Sequence, residues 1–153
     1  MRERRSCVTM NTCGMTEIDD YGPEPFAVNI DMAARQNKNF SAALWTGNHL
    51  QLTLMSIPVG GDIGLEIHPN DDQFIHINDG CCLVKMGKEM HKLNYQKEMS
   101  VGHAVFIPSG TWHNVLNTGN RPLKLHSIYA PPHHPHGMVY RTKADAEAAE
   151  NGH

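Results

Sequence analysis

Between Gly60 and Gly80 the chain reads GGDIGLEIHPNDDQFIHINDG, a stretch in which Glu66, His68 and Gln73 stand out as candidate metal ligands. Glu66 and His68 stand two residues apart. They share a face if Ile63–His68 is extended, because successive strand residues point to opposite sides. Gln73 follows at the head of QFIHIN, where Gln73, Ile75 and Ile77 share one face and Phe74, His76 and Asn78 the other. The face with two isoleucines is the more apolar and is expected to look inward. Parity therefore favours Gln73 over His76 as an interior ligand.

A fourth candidate lies in GHAVFIPSGTWHNVLNTG, Gly102–Gly119. Its Pro-Ser-Gly turn delivers His113 onto a new strand, with Val115 and Asn117 on the same face. If that face is interior, His113 closes a site with Glu66, His68 and Gln73. Two imidazoles, one carboxylate and one amide oxygen suit divalent Mn, Fe, Co, Ni or Zn, with geometry choosing among them. The set holds no sulfur, which argues against a closed structural zinc site.

The elements that must position these residues are short. From Ser41 onward the chain is a series of β-rich runs at roughly ten-residue spacing, punctuated by Gly, Pro and Asn. ALWT, HLQLTLMSIPV, QFIHIN, CCLVKMG, HKLNYQKEMS, HAVFIPSG, WHNVLNTG and KLHSIYAPP read as strands. That pattern predicts an all-β sandwich or barrel. One helical turn is expected around Met32–Gln36 and one short helix in the Ala/Glu-rich TKADAEAAENG. Residues 1–20 read as a poorly ordered leader or arm and 21–153 as a single domain. Leu50, Leu52 and Leu54 share a face and are expected in a core or an interface.

Composition narrows the function. The 153 residues are 40% hydrophobic and 19% charged, with a formal charge of -3. That balance gives no reason to expect nucleic acid or a membrane surface as partner. Cys7, Cys13, Cys81 and Cys82 form no CxxC pair, so free thiols in a reducing, cytoplasmic setting are expected. The basic N-terminus has no apolar run behind it and does not read as a signal peptide. Among the 11 histidines, those of PPHHPHG (Pro131–Gly137) could form a second metal site, but the prolines between them prevent regular presentation, and a solvated loop against the barrel or a neighbouring subunit is expected. Asn117 reads as a turn-supporting residue.

The spacings resemble those of the cupin family. Gly60, five residues, Glu66-Ile67-His68, four residues, Gln73, six residues and Gly80 is similar to the first cupin motif. Gly102, Pro108, Gly110, His113 and Asn117 reproduce the second. The resemblance covers roughly Ser41 to Pro132. It implies a double-stranded β-helix, or jelly-roll barrel, with its core at about 41–132. Two positions depart from the usual pattern: Glu66 stands where a first His is usual, and Gln73 where a Glu is usual. Both still offer a metal-capable atom, and the set keeps one carboxylate. Further segments (WTGNHLQLTLM, IGLEIHPNDDQF, HPHG with TKADA) resemble the phosphomannose-isomerase-like (type-2) cupins.

Three functions are compatible with this reading. The first is a metal-dependent enzyme of isomerase or lyase type acting on a small polar or sugar-like substrate. The second is a non-haem iron oxygenase, because two His and one carboxylate resemble that facial triad. The third is a non-catalytic barrel that binds or senses a small ligand. No general base is identifiable. The resemblance also implies a homodimer, with the Leu50–Leu54 strand and the N-terminal arm as candidate contacts.

Overall fold

The computed structural model describes residues 18–151. The described residues form helix α1 (Ile30–Gln36), strands β1 (Ser41–Thr46), β2 (Gln51–Ile57), β3 (Asp72–Asp79), β4 (Cys82–Gly87), β5 (Tyr95–Met99), β6 (Ala104–Ile107), β7 (Trp112–Asn117), β8 (Leu123–Ala130) and β9 (Val139–Tyr140), and helix α2 (Lys143–Asn151). A larger sheet runs in the order β6-β3-β8-β2-β1-β9 and a smaller one in the order β5-β4-β7. Neighbours within each sheet are antiparallel. The expected all-β double-stranded β-helix with a short C-terminal helix is the observed fold.

Alternation along the strands builds the interior. Met55, Ile57, Ile75, Ile77, Ile107, Leu123 and Leu125 come from the larger sheet, and Cys82, Val84, Met86, Met99 and Val115 from the smaller. Both sheets place their apolar face inward, since burial stabilises the fold by about 25 cal/mol per Å² of apolar surface removed from water. Parity in β3 is largely as expected: Gln73, Ile75 and Ile77 are buried and Phe74 and His76 only partly so, but Asn78, on the face expected to look outward, is buried too, bonded to Asp31 and His126.

The back of the larger sheet is also covered, which the sequence did not foretell. Leu52 and Leu54 pack with Ala34 and Leu44, flanked by Ile18, Phe26, Ile30 and Ala33. The leucine face is thus buried by α1 and the segment before it within the same chain, and only Leu50 at its end is exposed. Helix α1 is two turns rather than the one expected. Asn29 caps it by accepting from Met32 N at 3.0 Å, and Asp31 pairs with Arg35 one turn on at 2.9 Å. Such caps and i,i+4 pairs favour a short helix that packing then holds.

The expected leader lies outside the described residues as far as residue 17. Beyond it the chain is tied down at Asp20. The Asp20 carboxylate accepts from Gly22 N, Thr46 N, Thr46 Oγ1 and Gly137 N. Gly22 lies so close to β1 that a Cβ there would sit 2.1 Å from Thr46 O. No helix among the described residues is long and apolar enough to cross a membrane.

Candidate metal centre

The segment before β3 was expected to be a regular strand over Ile63–His68, and it is not. It runs beside β7 with Asn117 N donating to Gly61 O (2.9 Å) and Ile63 N to Val115 O (3.0 Å). Glu66 N then donates to His113 O (3.0 Å) and His113 N to Glu66 O (2.9 Å). Between the bridges Asp62↔Leu116 and Glu66↔His113 the segment holds one residue more than β7. The excess is taken up at Gly64, whose φ is +95° and whose N–H donates to Asn114 Oδ1 at 3.1 Å. Only glycine adopts such a backbone freely. The bulge resets the alternation, so that Ile63 joins the core and Glu66, three residues on, faces the same cavity.

Three of the four expected ligands come together. His68 Nε2 lies 3.2 Å and His113 Nε2 3.4 Å from Glu66 Oε1. Glu66, His68 and His113 each offer a ligand atom within 4.8 Å of the others, a cluster that could hold a metal ion. His113 is fully buried, and its Nδ1–H donates to Thr111 O at 2.9 Å. That bond fixes the tautomer and leaves the Nε2 lone pair facing a carboxylate oxygen, with no hydrogen-bond partner of its own. Two acceptors facing one another call for a cation between them, and a carbonyl holding the far nitrogen is the usual support of a ligating imidazole. The donor set therefore fits a divalent ion.

Electrostatics point the same way. Burial by itself raises the Glu66 pKa, but the His113 and His68 imidazoles beside the carboxylate outweigh it and bring the carboxyl down to about 2. Burial by itself lowers His68, yet the hydrogen bond and charge of Glu66, with Asp71 behind them, raise its pKa. The pocket stabilises a carboxylate next to positive charge, and a metal ion would supply that charge more strongly than a proton.

Gln73 is interior, as parity required, and 3% exposed. Its Nε2 donates to Ser127 Oγ at 2.9 Å, which orients the carboxamide. The Oε1 is buried without a partner, an unpaired acceptor that costs free energy unless something binds it. His76 faces the other side of β3, where its ring stacks on His126 at 4.9 Å.

A cavity of about 360 Å³ opens beside the cluster. Glu66 and Tyr129 line it from the barrel, His134 from the loop after β8, and Lys143, Glu147 and Glu150 from α2. Helix α2 is fixed across this opening by Ala146, packed on the core, and by the Lys143–Asp62 ion pair. Burial and the Glu66 carboxylate raise the Glu150 carboxyl. Burial, with Glu66 adding to it, raises the Tyr129 phenol well above its ordinary value, so it stays protonated at neutral pH.

The proline-broken histidine run is a largely exposed loop lying against the barrel, as expected, and it also brings one of its histidines to the site. Gln51, fully buried, holds the loop: its Oε1 accepts from His133 N (3.2 Å) and His134 N (2.8 Å), and its Nε2 donates to His134 O (2.9 Å). His133 then lies edge-on to His68 with ring centroids 4.1 Å apart, and its Nδ1 is 3.4 Å from Asp71 Oδ1. His68, Asp71 and His133 form a second group whose ligand atoms lie within 4.8 Å of one another. Asp71 itself is buried with Oδ2 unpartnered. Burial beside His133 pushes the His134 pKa down to about 4, so that ring is neutral at pH 7. Nothing local in the sequence shows this, because the anchor, Gln51, is more than eighty residues away.

Comparison with known proteins agrees with this architecture. The family model for the cupin domain matches residues 53–129. YrkC, an uncharacterized protein of Bacillus subtilis (strain 168), is 60% identical over 134 residues, covering 88% of this chain and 72% of its own. The uncharacterized protein L612 of Acanthamoeba polyphaga mimivirus is 36% identical over 115 residues, covering 74% of this chain and 70% of its own. The crystal structure of BH2720 from Bacillus halodurans superposes with a TM-score of 0.85 at 60% identity, covering 86% of this chain and 99% of that one. The family model spans both glycine-framed segments that meet at the Glu66–His113 bridge, and the chain belongs to the cupin family.

Proposed function

We propose that this cupin is a metal-dependent enzyme of isomerase or lyase type acting on a small polar or sugar-like substrate. The observation that carries the reading is the fixed tautomer of His113, which directs a buried lone pair at Glu66. Glu66, His68 and His113 would hold the ion, and the unpartnered Gln73 Oε1 is the added neutral ligand. Mn, Fe, Co, Ni and Zn all suit such a set. When bound, a divalent ion supplies a Lewis acid that polarises a carbonyl oxygen.

The chain's own groups would do the rest. Tyr129, protonated and 4% exposed, can donate a hydrogen bond to a substrate oxygen. Neutral His134 can both donate and accept. Glu150 faces the cavity with a raised carboxyl pKa, which suits it to accept and return a proton. Helix α2 and the Gln51-anchored loop narrow the opening to water.

The test is metal loading followed by exchange. Protein loaded with Mn(II) is incubated with aldoses and ketoses in D₂O, and deuterium entering at the carbon next to the carbonyl is followed by NMR. Exchange that needs the metal and is lost in Glu150→Gln supports the reading, and no exchange with any sugar opposes it. A second reading, the iron oxygenase, is favoured by the two-His, one-carboxylate trio. Substrate-dependent O₂ uptake by the iron(II)-loaded protein would select it. A homodimer belongs to the same proposal. With the leucine face covered, Phe106, 72% exposed on edge strand β6, is an apolar contact available to it, and a monomer in light scattering would remove that part.

A further inference from the structure

The charge around the cavity is one-sided. Four carboxylates line it, Asp62, Glu66, Glu147 and Glu150, against one ammonium, Lys143. That ammonium is already engaged, paired to Asp62 and 3.9 Å from Glu147. His134 adds no charge at neutral pH. The N-terminus of α2, which would otherwise attract an anion, is occupied by its own chain. Asp145 stands in its first turn, and Thr142 Oγ1 accepts from Asp145 N at 3.1 Å. A divalent ion at Glu66, His68 and His113 would still leave the lining negative.

The same wall is rich in acceptors for hydroxyl groups. Glu150 makes no hydrogen bond or salt bridge among the described residues and lines the cavity from an exposed position, so its carboxylate is available to a hydroxyl group. Each ionised carboxylate accepts several O–H donors and donates none. Ser41, Tyr140 and His134 add groups that both donate and accept. At the inner edge, fully buried His113 presents its unpartnered Nε2 to Glu66, so a ligand here borders the metal cluster. About 360 Å³ is at the small end of ligand pockets, roughly 300–1,000 Å³.

Building on the metal-dependent reading above, we propose that the substrate is an uncharged, polyhydroxylated molecule of single-sugar size, and that the cavity rejects its phosphorylated or carboxylated analogues. A phosphate placed here would meet carboxylates on several sides and find no free side-chain cation to bind. Phosphate sites are ordinarily built from Arg, Lys or open helix N-termini, and no such group is free among the described residues lining this cavity. An uncharged sugar meets no charge repulsion in a negative field, and the hydroxyl hydrogen bonds it gives up to water are replaced by those to the carboxylate acceptors.

The experiment is calorimetric titration of the Mn(II)-loaded protein at low salt with glucose, mannose, fructose and xylose, then with the 6-phosphates of the three hexoses and with gluconate. The expected result is saturable binding of at least one neutral sugar, with its anionic counterpart about tenfold or more weaker, a gap that salt narrows. The gap should also shrink in the Glu147→Gln/Glu150→Gln double variant, whose thermal unfolding confirms that it is folded. A sugar phosphate binding as tightly as its parent sugar overturns the inference and leaves the metal-dependent reading standing. Failure of every neutral sugar to bind a fully metal-loaded protein also overturns it. Failure to load metal removes the underlying reading first.

Discussion

Glu66 and His113 are joined twice, by a reciprocal pair of backbone hydrogen bonds at 3.0 and 2.9 Å and by a side-chain approach of 3.4 Å between Oε1 and Nε2. The backbone pairing sets the distance at which the side chains meet. Two segments nearly fifty residues apart thus act as one preorganised unit, which is what a ligand set needs in order to bind an ion without rearranging. Glu66→Gln keeps the shape and removes the charge. It should weaken divalent-metal affinity by more than the roughly 10- to 100-fold typical of losing an outer-shell partner, as read by competition with a fluorescent chelator. Unchanged affinity would show that the carboxylate is not a ligand.

Gly64 is the hinge of that geometry. Its φ of +95° is unfavourable for any L side chain, while the space is not the obstacle, since a Cβ there would meet Lys143 Cε at an ordinary 3.6 Å. Gly64→Ala should therefore cost about 1–2 kcal/mol through the backbone alone, measured by denaturant unfolding. Metal affinity should fall with it as Glu66 loses its aim. Stability lost with affinity intact would mean that the bulge does not position Glu66.

Asn117 should behave oppositely. Buried at 6% exposure, its Nδ2 donates to Ile57 O, Pro58 O and Arg121 O at 3.0, 3.2 and 3.0 Å. Its Oδ1 accepts from Gly119 N at 2.9 Å. Asn117→Ala leaves several backbone groups unpaired and should destabilise the fold by about 2–3 kcal/mol with metal content unchanged. Metal loss in a folded Asn117→Ala protein would contradict this structural role.

Acid should weaken the fold in two steps. Burial, with the neighbouring His76 adding to it, pushes His126 down to about 4, and His134 is likewise down to about 4. Both are neutral in the native protein but gain a proton in the unfolded chain below about 6.5. The unfolded state thus binds more protons as pH falls from about 6.5 towards about 4, so stability is full above that window and declines through it. His126 alone should account for about 2–3 kcal/mol by its lower end. Glu66, held at about 2, contributes stability that is lost only from about 4.5 downwards. Unfolding at pH 7, 5.5 and 4.5 reads the first step, and His126→Gln should flatten it. An equally steep profile in that variant would assign the decline elsewhere.

Much of this was legible in the sequence, and the reason is local geometry. Two-residue alternation put Gln73 inside and His76 outside, and the turn before His113 set its phase on β7. Glu66 was harder. Strict alternation sets it opposite Ile63, and only the positive φ at Gly64, a glycine with no local partner in the sequence, puts both on the cavity side. Helix α1 exceeds the turn expected around Met32–Gln36 because Asn29 caps it from Ile30. The covering of Leu52 and Leu54 by α1, the seating of His133 by Gln51, and the reach of Glu150 across the cavity are long-range packing events. No period or spacing records them.

The central claim is that Glu66, His68 and His113 hold a metal ion. It is tested most directly by elemental analysis of protein purified without an affinity tag, beside Gln73→Ala and His113→Ala variants shown to be folded. Close to one divalent transition-metal ion per chain is expected in the native protein, with a reduced content in Gln73→Ala and essentially none in His113→Ala. Full occupancy in both variants, or a native protein that takes up no metal when supplied with it, would contradict the site.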